Sequence, residues 1–288
     1  MPIDPDVLLN WPFAEIRQTY DDQTAILYAL GLGIGHDPVD GSQLDYVYER
    51  GLKIVPTLST TLGFPGPWLN NPATGVTYAK VVHGEQHCEF LRPLPPRASV
   101  VSTNRVEQVL DKGPDKGALI VTAREIRDQG TNALLARHRS VVMARGDGGF
   151  GGPSDGDLPR LGLVPEWEAD MEVAWPTYGG QALIYRLSGD LNPLHADPEA
   201  AQRASVGRPI LHGLSTFGAA AFAAVRELCG GDPDRLLRFG ARFSAPVYPG
   251  ETLVFAFWRG AEGEATFTAR VAERDTQVLT GGAAAWRA

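Results

Sequence analysis

Leu214-Ser215-Thr216-Phe217-Gly218-Ala219-Ala220-Ala221-Phe222-Ala223-Ala224-Val225, running on to Cys229 and stopped by Gly230-Gly231, is the stretch that decides the fold. The run is rich in Gly, Ala, Ser and Phe and apolar nearly all the way round as far as Val225. A helix of that kind has no face to offer to water and must be enclosed on several sides. What could enclose it is written on either side. Val100-Val101, Ala118 to Ile126 and Ala133 to Met143 are β-branched or alternating runs, separated by turn clusters at Lys112 to Gly117 and Asp128-Gln129-Gly130. They predict an antiparallel meander. Further strands follow the helix.

The two sets of strands echo each other. Phe90-x-x-Pro93-x-x-Pro96 with Val100-Val101 matches Phe243-x-x-Pro246-x-x-Pro249 with Leu253-Val254 at one constant offset. Thr122-Ala123-Arg124 before Arg127-Asp128 resembles Thr268-Ala269-Arg270 before Arg274-Asp275. Between them lies Gly146-Asp147-Gly148-Gly149-Phe150-Gly151-Gly152-Pro153-Ser154-Asp155-Gly156, a composition that cannot bury a core. An internal duplication follows. The expected class is α+β: a double hot-dog fold, two antiparallel sheets each associated with a helix. Residues 1–145 form an N-terminal repeat, 146–160 a linker and 161–288 a C-terminal repeat. The first copy reads as degenerate. Asp21-Asp22 opens only a short helix through Leu30, ended by glycines at 31, 33 and 35. Tyr46-Val47-Tyr48 looks extended, and Pro56 and Gly63 interrupt the rest.

Composition narrows the function classes. With 288 residues, 43% hydrophobic and 21% charged, the chain can build a sizeable core. A net charge of −8 argues against a general nucleic-acid binder. Two cysteines, Cys88 and Cys229, are too few for a disulfide framework and predict reduced thiols in a cytoplasmic setting. Met1-Pro2-Ile3-Asp4-Pro5-Asp6 lacks the basic region of a signal peptide, and no apolar run reaches the roughly 20 residues that span a bilayer. No membrane or nucleic-acid partner is expected. A homodimer is.

The chemistry gathers ahead of the enclosed helix. Tyr185-Arg186-Leu187-Ser188-Gly189-Asp190-Leu191-Asn192-Pro193-Leu194-His195 packs a carboxylate, an amide and an imidazole into six positions, and Arg208-Pro209-Ile210-Leu211-His212-Gly213 leads into the helix. By composition alone Asp190 to His195 is a turn, since Asp, Asn and Pro are turn formers. The combination of Gly189, Asp190, Asn192, Pro193 and His195 before a small-residue helix favours a site. Three nearer matches to known motifs fail. Gly146-x-Gly148-x-x-Gly151 leads into Pro153 instead of a helix, so it is no dinucleotide fingerprint. His83-Gly84-Glu85-Gln86-His87 has its glutamate one place off the metalloprotease pattern, and no metal is expected. Gly213-Leu214-Ser215-Thr216-Phe217 lacks the second glycine of a nucleophile elbow.

The run from Tyr185 to His195, with Ala201 beyond it, resembles the signature of the MaoC-like, R-specific enoyl-CoA hydratases (hydratase 2). Phe243 to Leu253 resembles that family's common strand segment, and His83-Gly84-Glu85-Gln86 with Pro93-Leu94-Pro95 resembles the first half of its two-repeat forms. The resemblance implies reversible addition of water to a trans-2-enoyl-CoA, giving an (R)-3-hydroxyacyl-CoA, with no cofactor beyond the CoA thioester itself. Asp190 and His195 would hold and deprotonate the water, one of them returning a proton to the α carbon. The sequence does not say which takes the first proton. Asn192 would fix that geometry. The N–H of Gly213, at a helix N-terminus, would stabilise charge on the thioester oxygen. His212 either lines the same pocket or serves the core or the helix cap. Arg203, Arg208, Arg238 and Arg242 are near enough in sequence to meet CoA phosphates. A short first-half helix would leave room for a long or bulky acyl chain. The competing readings are a hot-dog acyl-CoA thioesterase, which would release free CoA, and a non-catalytic acyl-CoA-binding partner, which would turn nothing over.

Overall fold

The structure, a computed structural model, describes residues 3–37 and 39–288. Met1 and Pro2 of the N-terminal stretch considered above lie outside that range. The first half contains α1 (Pro5–Leu9), β1 (Ile16–Tyr20), α2 (Asp22–Gly31), α3 (Gly41–Val47), β2 (Val81–Phe90), β3 (Ala98–Asp111), β4 (Ala118–Asp128) and β5 (Leu134–Ala144). The second contains β6 (Met171–Pro176), α4 (Gln181–Tyr185), α5 (Pro198–Arg203), α6 (Gly213–Glu227), β7 (Leu236–Phe243), β8 (Thr252–Arg259), β9 (Glu264–Val271) and β10 (Thr276–Trp286). All ten strands pair antiparallel in one sheet, in the order β1-β3-β4-β5-β2-β7-β10-β9-β8-β6.

That order reads the same from either end, each strand of the first half having a counterpart at the mirrored place in the second. The expected duplication therefore appears as two five-stranded copies joined at β2 and β7, where Glu85 to Glu89 face Arg242 to Arg238. The architecture is the double hot dog.

The helix α6 fills the second copy. Every residue from Ser215 to Val225 is buried, which removes Phe217 and Phe222 from water at about 1.5–3 kcal/mol each. Phe239, Phe255, Phe257 and Phe267 line the sheet in the same core cluster. Gly218 lets α2 approach: a Cβ there would meet Leu32 at 2.6 Å and the Tyr28 hydroxyl at 2.8 Å. Among the described residues the first copy has no comparable helix. Asp21 caps α2 through the Thr24 N–H, and the chain then turns away at Gly33 and Gly35, both with positive φ. A 3-10 turn over Pro56–Thr60 sits against α6 and β2.

Three expectations need correction. Tyr46 and Val47 are helical, not extended, because Asp40 caps α3 through the Ser42 N–H and Tyr46 packs edge-on against Phe222 at 4.9 Å. Packing and a cap here override an intrinsic preference for strand. The Thr-Ala-Arg echo is out of register. Leu253 pairs with Val271 where its counterpart Val100 pairs with Asp128, so Phe267, not Arg270, stands at the place of Arg124. The segment without helix or strand runs over residues 145–170, beyond the expected 146–160. It is strapped to the sheet: the Asp111 carboxylate accepts from Gly149 and Gly151, and the Gly162 N–H donates to the Gly281 carbonyl.

Candidate active site

The loop between α4 and α5 is built to hold two side chains still. Gly189 takes φ 120°, a conformation that lets the chain leave the 3-10 turn Arg186–Ser188 and swing Asp190 inward. The Asp190 carboxylate accepts from the Asn192 N–H at 3.1 Å. The Asn192 side chain caps the next turn, Pro193–His195, by accepting from the Leu194 N–H at 3.0 Å. Asp197 then caps α5. The loop thus spends Asp190 Oδ1 and Asn192 Oδ1 on its own backbone, as a turn would, yet leaves Asp190 Oδ2 facing His195.

His195 is buried and its tautomer is set. Nδ1–H donates to the Ile210 carbonyl at 2.9 Å, so Nε2 carries the lone pair. That nitrogen lies 3.8 Å from Asp190 Oδ2, too far for a direct hydrogen bond and the right separation for both to hold one small polar molecule between them. Burial pushes the His195 pKa below its ordinary value, against the raising effects of the Ile210 carbonyl and Asp190, and the ring stays neutral near pH 7.

His212 lies behind it. The two imidazoles stack with centroids 3.6 Å apart and planes at 22°. His212 Nε2–H donates to the Asp190 main-chain carbonyl at 3.1 Å, tying the loop to the start of α6. Burial, and then the neighbouring His195, drive its pKa down to about 3. Tyr185 packs on the far side at 4.9 Å. Asp190, His195 and His212 offer ligand-type atoms within 4.8 Å of one another, donor types that a divalent metal accepts. The near-parallel stack, however, presents the ring edges side by side instead of aiming them at one centre.

Gly213 follows as the first residue of α6, whose N-terminal N–H groups have no intrahelical acceptors. The preceding His212 supplies no side-chain cap. Phe243 from β7 closes the other side, its ring atoms 3.0 and 3.1 Å from where a Cβ on residue 213 would sit. His83 of β2 packs at a tilt against Phe243, centroids 4.8 Å apart. Burial holds the His83 pKa at about 4, with the Asp190 charge acting in the opposite sense. Tyr78, just before β2, also feels Asp190; burial and then that carboxylate raise its phenol. The site is therefore faced by both halves. His83 stood in a quoted motif without a place in the chemistry, and Tyr78 carried no sequence signal.

Of the four arginines, Arg208 sits exposed on the segment leading to α6, its guanidinium 4.5 Å from the Tyr248 ring centroid. Arg203 lies exposed on α5 beside Asp197 and Glu199, at 3.9 and 3.6 Å. Arg238 and Arg242 alternate with the inward Phe239, Ala241 and Phe243 along β7 and so occupy the opposite face, where they pair with Glu264 at 3.5 Å and Glu85 at 2.7 Å. Strand alternation, invisible to a count of nearby cations, takes these two out of the site.

Comparison with known proteins matches both halves of the chain. Residues 18–146 match the MFE-2 hydratase 2 N-terminal domain, and residues 162–281 match the MaoC like domain. A peroxisomal enoyl-CoA hydratase 2 of Arabidopsis thaliana is 37% identical over 96% of this chain and 93% of its own length. An enoyl-CoA hydratase of Mycobacterium tuberculosis is 36% identical over 98% of both. The crystal structure of a MaoC-like dehydratase from Phytophthora capsici superposes with a TM-score of 0.87 at 34% identity, covering 98% of each chain. Matched along nearly its full length by relatives of its own size, and half by half by two domains, the chain belongs to the MaoC-like hydratase 2 family.

Proposed function

We propose that the protein hydrates trans-2-enoyl-CoA thioesters to (R)-3-hydroxyacyl-CoA, and catalyses the reverse. The observation that carries this reading is the 3.8 Å gap between Asp190 Oδ2 and His195 Nε2, opening beside the uncapped N-terminus of α6. The relatives' names, as enoyl-CoA hydratases, support the same reaction class.

A water held between Asp190 and the His195 lone pair is oriented by two acceptors. As its oxygen bonds to C3, one of its protons passes to this pair and is delivered to C2, while the other remains on the new hydroxyl. The double-bond electrons move through the enolate and back, and no other reactant is consumed. Charge on the thioester oxygen is met by the Gly213 N–H and the positive end of α6. Asn192 fixes the loop backbone that carries both groups, and His212 anchors the Asp190 carbonyl. Arg208, exposed and beside Tyr248, is the cation offered to the CoA phosphates. The acyl chain runs toward the first half, where the short helices leave the interior to side chains.

Asp190→Asn tests the assignment. The side chain is 47% exposed and only loosely paired, so the folded state should survive unchanged. Loss of general acid–base catalysis should lower kcat by about 10²–10⁴-fold, followed as consumption of crotonyl-CoA and longer enoyl-CoAs. Turnover near that of the unaltered protein with all of them would refute the reading, and release of free thiol in place of hydroxyacyl product would point to a thioesterase.

A further inference from the structure

The mirrored halves differ at one place that the chemistry leaves unexplained. In the second half Phe257 pairs with Phe267 on the inner face, against α6. At the mirrored place in the first half Asn104 pairs with Arg124, and Arg124 pairs onward with His138. Arg124 is 8% exposed and points inward: Nη2–H donates to the Thr60 carbonyl at 2.6 Å. Nη1 is buried without a hydrogen-bond partner. Among the described residues, no carboxylate lies within ion-pair distance of it. The Phe64 ring, 5.8 Å away, is its other cover. Burial lowers its pKa to about 10, which leaves it charged at neutral pH.

A lone buried guanidinium is among the most costly groups a core can hold. Closing the 3-10 turn at Thr60 uses one of its five N–H donors and does not account for a full positive charge. The neighbourhood is polar in the same unsatisfied way. The Tyr28 and Tyr185 hydroxyls, Thr57 Oγ1 and His138 Nε2 are buried without hydrogen-bond partners. This row leads to the catalytic loop: Tyr28 lies 5.8 Å from Tyr185, and Tyr185 packs at a tilt against His212 at 4.9 Å. His83, which feels the Asp190 charge, also feels that of Arg124.

We propose that Arg124 receives the far end of the acyl chain, and that the preferred substrates are trans-2-enoyl-CoAs whose acyl group ends in a second carboxylate. The inference rests on the hydratase reading above and deepens it. A terminal carboxylate supplies the missing counterion and can take two parallel N–H bonds from the guanidinium fork, while the phenols and His138 solvate its remaining lone pairs. A purely aliphatic chain would leave the same charge bare.

Matched pairs of trans-2-enoyl-CoAs, equal in length and ending in either methyl or carboxylate, decide it across a graded length series. At the favoured length, kcat/KM for the carboxylate-ended member should exceed that of its partner by about tenfold or more, the scale of one charge-assisted bond. Arg124→Met should abolish that preference while leaving methyl-ended substrates within about threefold, and Arg124→Lys should retain part of it. Equal or better use of the methyl-ended member at every length by the unaltered protein overturns the assignment, whatever the variants do. So does a loss in Arg124→Met that falls equally on both series, which would mark a structural arginine. Hydration of neither series overturns the hydratase reading itself and this inference with it; hydration of the methyl series without a carboxylate preference overturns only the role of Arg124.

Discussion

Gly213→Ala isolates the contribution of the α6 N-terminus. The backbone at 213 is not among the positions with positive φ, so alanine pays no conformational penalty and removes about 0.4–1 kcal/mol of unfolded-state freedom. Against this, the new Cβ arrives 3.0 Å from Phe243 Cδ1 and 3.1 Å from Cε1. The ring can yield by a few tenths of an ångström at a cost of about the same size, so the melting midpoint should move little. Catalysis should not escape. The methyl group and the displaced ring stand where the thioester oxygen must come to reach the 213 N–H, and losing one such donor costs about 10²–10³ in kcat, or about 2.7–4 kcal/mol. Steady-state hydration assays and a thermal melt on the same preparation give both numbers. Phe243→Leu in the alanine background should restore part of the rate if ring displacement is what blocks approach. An unchanged kcat with either protein would refute the placement of the thioester at this helix end.

The arginines separate by face: Arg208→Ala should raise KM for CoA thioesters about tenfold with kcat retained, whereas Arg242→Ala, on the opposite face of β7, should leave KM unmoved; the reverse ranking in steady-state kinetics would refute the assignment. The pH dependence follows from histidines kept neutral by burial: His83 near 4, His212 near 3, His195 lowered and His138 well below 6.5. The unfolded chain takes up these protons first as pH falls through 6.5, so stability is full above that value and declines below it. A urea midpoint that stays flat or rises from about pH 7 to about pH 4.5 would contradict this.

Much of the site was legible because its parts are contiguous. Asp190, Asn192 and His195 share one loop, whose contiguous pattern carried the family resemblance that implied the reaction class, and the apolar circumference of Leu214 to Val225 demanded an enclosing sheet. What was not legible depends on strand register. Arg242 looked as close to the site as Arg208 until alternation along β7 turned it to the far face. Arg124 looked like the repeat partner of Arg270, a half-buried arginine paired with carboxylates, and only the pairing of Val100 with Asp128 showed it standing in place of a phenylalanine. Tyr46 read as strand because its helix is also held by Phe222, a contact that no window around Tyr46 contains.

The seam between the halves also sets a schedule for folding. Glu85 and Arg242, which bridge it, are 157 residues apart, and contacts of such long separation form late. Until β7 arrives, β2 is an unpaired edge in the middle of what will be a continuous sheet, a template for the wrong neighbour. The face of β2 turned away from the core carries Glu85, His87 and Glu89, and charges on an open edge discourage pairing with another copy. The Glu85 carboxylate, which later grips β7 through Arg242, thus also guards the half-made protein while its second half is still unfolded.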